Sequence, residues 1–169
     1  VPGGIDAVVG VTIDPTFGTL YAGTARQGVF RSDDQGAHWF PASAGLPTLD
    51  VRDLAASASL PGRLLAALGP GLAVNPGLAR SDDGGQTWQT LYLTGEPRSD
   101  ELVDKVRFDP DDERSAFAIT LDGTWHTADG GDHWEQLVID PDDPVRAAVF
   151  DPPNPRRFDI SWRSVGQDA

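Results

Sequence analysis

One tryptophan-bearing segment is written three times along the chain: RSDDQGAHW at 31–39, RSDDGGQTW at 80–88 and HTADGGDHW at 126–134. The residues that open these segments, Ser32, Ser81 and Thr127, stand 49 and 46 residues apart, a spacing that suits one four-stranded unit of a radial array. The copying extends upstream. VTIDPTFGTLYAGT at 11–24 matches VRFDPDDERSAFAIT at 106–120, and VFDPPNPRRFDIS at 149–161 begins a fourth copy. Asp14 precedes Ser32 by 18 residues, and Asp109 precedes Thr127 by the same 18. Each unit reads as strand A ending in Asp-Pro, a turn, strand B (20–23, 64–68, 116–119), a loop, strand C, the copied segment, and strand D led by tryptophan. The second unit replaces Asp-Pro with Ala58-Ser59 and inserts a Gly- and Pro-rich stretch at 69–77 between strands B and C.

Strands rather than helices fit this text. With 19 Gly and 14 Pro in 169 residues and no collagen period, the chain is rich in turns, and its apolar runs are short and bounded by Gly, Pro, Asp and Asn. The expected fold is all-β, a propeller of four-stranded antiparallel blades, with about three and a half blades: residues 5–50, 51–102, 103–144 and a partial fourth at 145–169. The copied segment has the pattern Ser/Thr-x-Asp-x-Gly-x-Thr/His-Trp. It places Ser32, Asp34, Gly36, His38 and Trp39 in the first unit, Ser81, Asp83, Gly85, Thr87 and Trp88 in the second, and Thr127, Asp129, Gly131, His133 and Trp134 in the third. Gly supplies a positive φ, Ser and Asp satisfy unpaired backbone donors, and the indole folds over the network as a clamp whose N–H seeks an acceptor.

This pattern resembles the Asp-box, or bacterial neuraminidase repeat. The surrounding DP…LYAGT…GVFRS is similar to repeats of sortilin-type receptors, photosystem II assembly factors, xyloglucan-degrading endoglucanases and sialidases. The resemblance implies a β-propeller in which the boxes are peripheral structural turns. It leaves the activity open, because one fold hosts unrelated functions.

Composition narrows the partners. A formal net charge of −13 argues against nucleic acid, whose phosphates require clustered cations, and against anionic membrane surfaces. The charged set is lopsided: 22 Asp against 4 Glu, 12 Arg, and a single lysine, Lys105. Asp serves turns better than Glu, which accounts for the excess. There is no cysteine, and no apolar run approaches the length of a membrane span. Val1 in place of Met fits either a processed export product or a piece of a longer chain, and the resemblance points to an extracellular or periplasmic setting.

In an up-and-down meander the A–B and C–D loops share one face while the B–C and D–A loops share the other. The copied turns and Asp-Pro turns fall on the first. The second carries Arg26, Gln27, Asn75, Arg98 and Asp122, which are the candidate partner-binding residues. Arg26 and Arg98 would hold an acidic partner or a carboxylated sugar. No cofactor is expected. The acidic runs DPDDE at 109–113 and DPDD at 140–143 are the places where calcium would bind, although neither has the EF-hand pattern or its turn glycine. His38 and His133 occupy the threonine position of the turn, and with His126 they make a poor zinc set.

Glycoside hydrolysis needs two carboxyl groups flanking the sugar. The sialidase resemblance implies an Arg-Ile-Pro segment and a tyrosine nucleophile; the chain has no Arg-Ile-Pro, and its tyrosines are Tyr21 and Tyr92. The xyloglucanase resemblance implies a catalytic Asp after the B-strand threonine, where Ala25 stands. Asp122 is then the best local candidate for a member of the acid pair. The expected function is a non-enzymatic scaffold for protein recognition or assembly through the B–C/D–A loop face, with a glycoside hydrolase module as the alternative and a pure spacer as a third reading. Fragment of a longer propeller and half-ring closed by a second copy are the two expected assemblies.

Overall fold

The second strands of the units, LYAGT, LLAAL and AFAIT, are short runs of small and apolar residues, the composition of a strand with neighbours on both sides. Each takes that place. In the computed structural model, which describes residues 7–70, 77–97, 102–110, 112 and 114–137 and the backbone of Ala147–Phe150 and Phe158–Ser161, three four-stranded antiparallel sheets follow one another. The first has the order β1 (Val8–Ile13), β2 (Leu20–Thr24), β3 (Gly28–Ser32) and β4 (Phe40–Pro41). The second consists of β5 (Val51–Ala56), β6 (Leu64–Leu68), β7 (Leu78–Ser81) and β8 (Gln89–Leu91). The third consists of β9 (Val103–Phe108), β10 (Ala116–Thr120), β11 (Gly123–Thr127) and β12 (Glu135–Leu137), and β13 (Ala147–Phe150) pairs with β14 (Phe158–Ser161) to open a fourth. No helix occurs among the described residues.

The core consists of two seams between sheets. Alternate side chains of β6 divide between them: Leu64, Ala66 and Leu68 join Tyr21, Val29, Val51, Leu54 and Trp88 between the first and second sheets. Leu65 and Ala67 join Leu78, Leu91, Val103, Val106, Phe108 and Trp134 between the second and third. Strand β6 is therefore buried on both faces, and each of its leucines contributes roughly 1.5–3 kcal/mol of burial.

The inner strands β1, β5 and β9 lie side by side at one edge of their sheets. Each carries a bulge at the same place: Val9, Arg52 and Asp104 are skipped in the pairing with β2, β6 and β10. A bulge turns the extra residue out of the ladder and bends the strand. Two of the edge amides are covered from the neighbouring sheet. Ala56 N donates to Thr12 Oγ1 at 3.2 Å, and Val106 N donates to Asp53 Oδ2 at 3.1 Å.

Two expectations change. The A–B turns close through Asp14 N to Thr19 O, Ser57 N to Arg63 O and Asp109 N to Ser115 O, so Ser57-Ala58, not Ala58-Ser59, stands where the other units have Asp-Pro. Ser57 keeps the function of the aspartate, its hydroxyl accepting the amides of Ser59 and Leu60 as Asp14 accepts those of Thr16 and Phe17. The tryptophans are also more than local clamps. Trp39 and Trp134 donate to Gly36 O and Gly131 O of their own turns, whereas Trp88 Nε1 crosses to Ala42 O of the first sheet at 2.8 Å.

Candidate partner-binding face and its scaffold turns

Three copied turns hold the rim. In each, the opening hydroxyl donates to Asp Oδ1 (Ser32 to Asp34 at 2.9 Å, Ser81 to Asp83 at 2.8 Å, Thr127 to Asp129 at 2.8 Å) and accepts the glycine amide of Gly36, Gly85 or Gly131. The same Oδ1 accepts the backbone N–H of His38, Thr87 or His133 at 2.8 to 2.9 Å. The second carboxylate oxygen takes the side chain: His38 Nδ1 lies 2.6 Å from Asp34 Oδ2, Thr87 Oγ1 2.5 Å from Asp83 Oδ2, and His133 Nδ1 2.7 Å from Asp129 Oδ2. The histidines thus occupy the threonine position as turn residues, as expected.

The titrations follow from these bonds. The His38 amide, then the His38 ring and Ser32, draw Asp34 down to about 2. Burial pushes Asp129 upward, but the His133 amide and ring and the Thr127 hydroxyl outweigh it and hold that carboxyl well below the usual range. Asp129 in turn raises His133. These carboxylates are committed acceptors, unsuited to proton donation.

The opposite ends of the strands form the other face. Thr24 and Thr120 close the B–C loops of the first and third sheets in one way: Thr24 Oγ1 donates to Gly28 O and accepts Gln27 N, and Thr120 Oγ1 donates to Gly123 O and accepts Asp122 N. Arg26 and Gln27 sit in the first of these turns. Asp122 sits in the second beside exposed Leu121, its carbonyl accepting Gln136 Nε2 at 2.8 Å. Asn75 and Arg98, like 140–143 and part of 109–113, lie outside the described residues. No group of side chains able to hold a metal occurs among the described residues.

The inner strands add a feature that the loops did not reveal. At the start of β5 and β9 the bulge residues Arg52 and Asp104 pair at 3.1 Å. Further along, a groove of about 450 Å³ runs over the strand edges, lined by Val9, Gly10, Thr12, Asp53, Lys105 and Arg107 among others. Asp53 is buried and paired with Arg107, while Lys105 is exposed in the groove. A Cβ on Gly10 would come into ordinary van der Waals contact with Asp53 Oδ1, at 3.5 Å. Three of the cations of an acidic chain therefore lie on the inner strands. The signal was present in the sequence as its single lysine, but strand A alternation does not say which edge of a sheet meets the axis.

Comparison with known proteins places this geometry. No protein-family model matches the chain. Over 142 residues, 79% of its length, it is 33% identical to the photosystem II assembly lipoprotein Ycf48 of Synechococcus sp. (strain CC9902), and it spans 37% of that protein. Among solved structures, it superposes on YCF48 bound to D1 peptide with a TM-score of 0.64 and 18% identity, over 88% of the chain and 46% of that one. The fold is that of a β-propeller. A GH74 xyloglucanase from Xanthomonas campestris also superposes, with a TM-score of 0.63 and 26% identity, over 79% of the chain and 21% of the enzyme. The sheets are blades, the inner strands face the propeller axis, and the copied turns stand at its rim.

Proposed function

We propose that this chain is an Asp-box propeller segment, with blades at 5–50, 51–102, 103–144 and 145–169, which acts outside the cytoplasm as a non-enzymatic scaffold holding a peptide segment of a client protein. The observation that carries this reading is the 33% identity to an assembly lipoprotein over 142 residues. The geometry supports the same reading. The B–C/D–A face offers Arg26 and Gln27, and the groove over the inner strands carries a strip with Lys105 and the Asp53-paired Arg107, in a protein of net charge −13. Such a strip favours an acidic or carboxylate-bearing segment and steers it by long-range attraction. Asn75, Arg98 and Asp122 complete the proposed contact set.

The test is fluorescence anisotropy with a labelled peptide of D1, the ligand in the YCF48 complex. Binding is expected to weaken as salt rises, and to weaken at least several-fold in Arg26→Ala and Lys105→Ala. Binding that is indifferent to both variants would remove the proposed contact set.

The GH74 likeness keeps a second reading in view, carbohydrate hydrolysis with Asp122 as the acid. Against it, Ala25 and Leu121 follow the B-strand threonines where the xyloglucanase resemblance implies an aspartate. Turnover of xyloglucan that disappears in Asp122→Asn would establish this alternative.

A further inference from the structure

Three Asp-Gly pairs occur in the chain, at 83–84, 122–123 and 129–130, while both asparagines, Asn75 and Asn154, precede proline. An Asp-Gly pair is where a chain most readily cyclises on itself, because glycine has no Cβ to hinder its nitrogen from approaching the preceding side-chain carbonyl. A proline nitrogen carries no hydrogen and does not take this route. The ring closes only if the carboxyl swings onto the next nitrogen. The bonds that hold the carboxyl and the amide therefore decide which pair reacts.

Two of the pairs are locked in the copied turns. Asp83 Oδ1 accepts Ser81 Oγ and Thr87 N, and its Oδ2 accepts Thr87 Oγ1. Asp129 Oδ1 accepts Thr127 Oγ1, Asp132 N and His133 N, and its Oδ2 meets His133 Nδ1. Their glycine amides are tied to the A–B turn of the same blade, Gly84 N to Gly62 O at 2.9 Å and Gly130 N to Arg114 O at 2.7 Å. The third pair lies at the tip of the β10–β11 hairpin. Asp122 is exposed, its carboxylate takes no hydrogen bond or ion pair among the described residues, and Gly123 forms the last rung of the ladder with Thr120. End rungs open far more often than interior ones. Gln136 Nε2, 2.8 Å from Asp122 O, polarises the peptide group that has to react. Gln86 gives Asp83 O a similar bond at 2.9 Å, so the carboxyl and the glycine amide are what set the third pair apart.

We infer that Asp122-Gly123 is a site of spontaneous isoaspartate formation in the B–C loop of the third blade. Gly123 N attacks Asp122 Cγ and an N–Cγ bond forms; one carboxyl oxygen leaves as water, taking the amide proton and the carboxyl proton. Water then adds to one of the two carbonyls of the succinimide. Addition at Cγ breaks the new bond and restores aspartate. Addition at the main-chain carbonyl breaks the original peptide C–N bond, leaves the chain running through Cγ and frees the α-carboxylate. Gln136 is a positioning residue here, because its N–H polarises that main-chain carbonyl. The net change is an isomerisation, with one water lost and one regained. The product lengthens a two-residue turn by one backbone atom and separates Asp122 N from Gly123 O, which Thr120 Oγ1 bridges in the native turn. It reshapes the proposed contact face without depending on what binds there.

The test incubates the folded full chain at neutral pH in water labelled with heavy oxygen and reads each pair by proteolysis, mass spectrometry and electron-transfer fragmentation. The same chain unfolded in urea is the reference. In the folded chain, label and isoaspartate are expected at Asp122 at least tenfold faster than at Asp83 or Asp129, and in urea at comparable rates at all three. An isoaspartyl carboxyl methyltransferase should methylate the aged chain but not aged Asp122→Glu, whose longer side chain closes the ring poorly. Gln136→Ala, at an exposed position, should lower the ratio of isoaspartate to aspartate in the labelled product at residue 122. An Asp122 that stays unlabelled in the folded chain while the urea reference takes label would overturn the site, as would equal methylation of Asp122→Glu. Labelling of Asp83 or Asp129 at the Asp122 rate, or the same tenfold preference in urea, would overturn the account of restraint by the fold. An unchanged product ratio in Gln136→Ala would overturn the role of Gln136.

Discussion

The rim and the axis of this propeller are built from the same repeat and have diverged to different degrees. At the rim, three turns repeat one hydrogen-bond network to within a few tenths of an ångström, with Ser and Thr exchanged at the opening hydroxyl and Thr and His at the position beside the tryptophan. At the axis, aligned residues differ in kind: Val9, Arg52 and Asp104 at the bulge, Gly10, Asp53 and Lys105 after it, Thr12, Ala55 and Arg107 further along. The rim turns must each close a hairpin and satisfy the same backbone donors, so their chemistry is fixed by the fold. The axial positions carry no such common duty: Thr12 and Asp53 accept amides of the neighbouring sheet, while Lys105 is exposed.

The contrast can be broken at its strongest point. Trp88→Ala removes a buried indole and leaves Ala42 O without its donor, and should cost about 3–5 kcal/mol in denaturant unfolding, the usual range for a buried tryptophan. Trp39→Ala, half-buried with its acceptor in its own turn, should cost clearly less. Equal losses would mean that the seam contributes nothing beyond the local clamp.

Next in size, Gly85→Val should destabilise by roughly 2–3 kcal/mol in thermal or urea melts, because Gly85 sits at φ 81° and a Cβ there meets Ala42 Cβ at 3.3 Å. An unchanged melting temperature would overturn the account of the turn. At the axis, Asp53→Ala leaves Val106 N without its carboxylate acceptor and Arg107 without its partner, and should cost about 1–3 kcal/mol. Lys105→Ala should leave the melt unchanged while weakening peptide binding, which separates an axial residue serving recognition from one serving structure.

The smallest effect sharpens the Thr/His exchange at the rim. Asp34 and Asp129 have depressed folded pKa values, so their contribution is complete above the unfolded carboxylate value near 4 and is lost as pH falls, for Asp34 through about 2. His133 has a raised folded pKa, so its contribution is complete below its unfolded value near 6.5 and is lost as pH rises through the folded one. His133→Thr should therefore flatten the decline in stability above neutrality and leave the acid limb in place. A melt series from pH 5 to 9 that is the same in both proteins would show that the exposed ring adds nothing.

The all-β class, the four-stranded antiparallel sheets and the hydrogen bonding of the copied turns were legible because each depends on local chemistry: Gly for positive φ, Ser and Asp for backbone donors, short apolar runs for strands. The Asp-Pro position of the second blade was misplaced by one residue because Ser57 performs the aspartate's task with a different side chain, and its hydrogen bonds, not its letter, reveal the match. Of the contact candidates, Arg26, Gln27 and Asp122 lie on the expected loop turns, while Arg52, Asp53 and Arg107 were not found in advance. They lie on strands whose alternation is disturbed by a bulge, and a bulge is set by pairing across the sheet.

The sequence by itself determined that the chain is a series of four-stranded repeats with a rim of copied turns, because the period and the turn chemistry are contained within each repeat. The tertiary structure decided what joins one repeat to the next. That Arg31 and Arg80 reach across seams, that Trp88 donates to the preceding blade and that Asp53 covers an amide of the following one all depend on contacts between residues about fifty positions apart. Such contacts exist only once neighbouring sheets have packed, and no local pattern in the chain encodes their geometry.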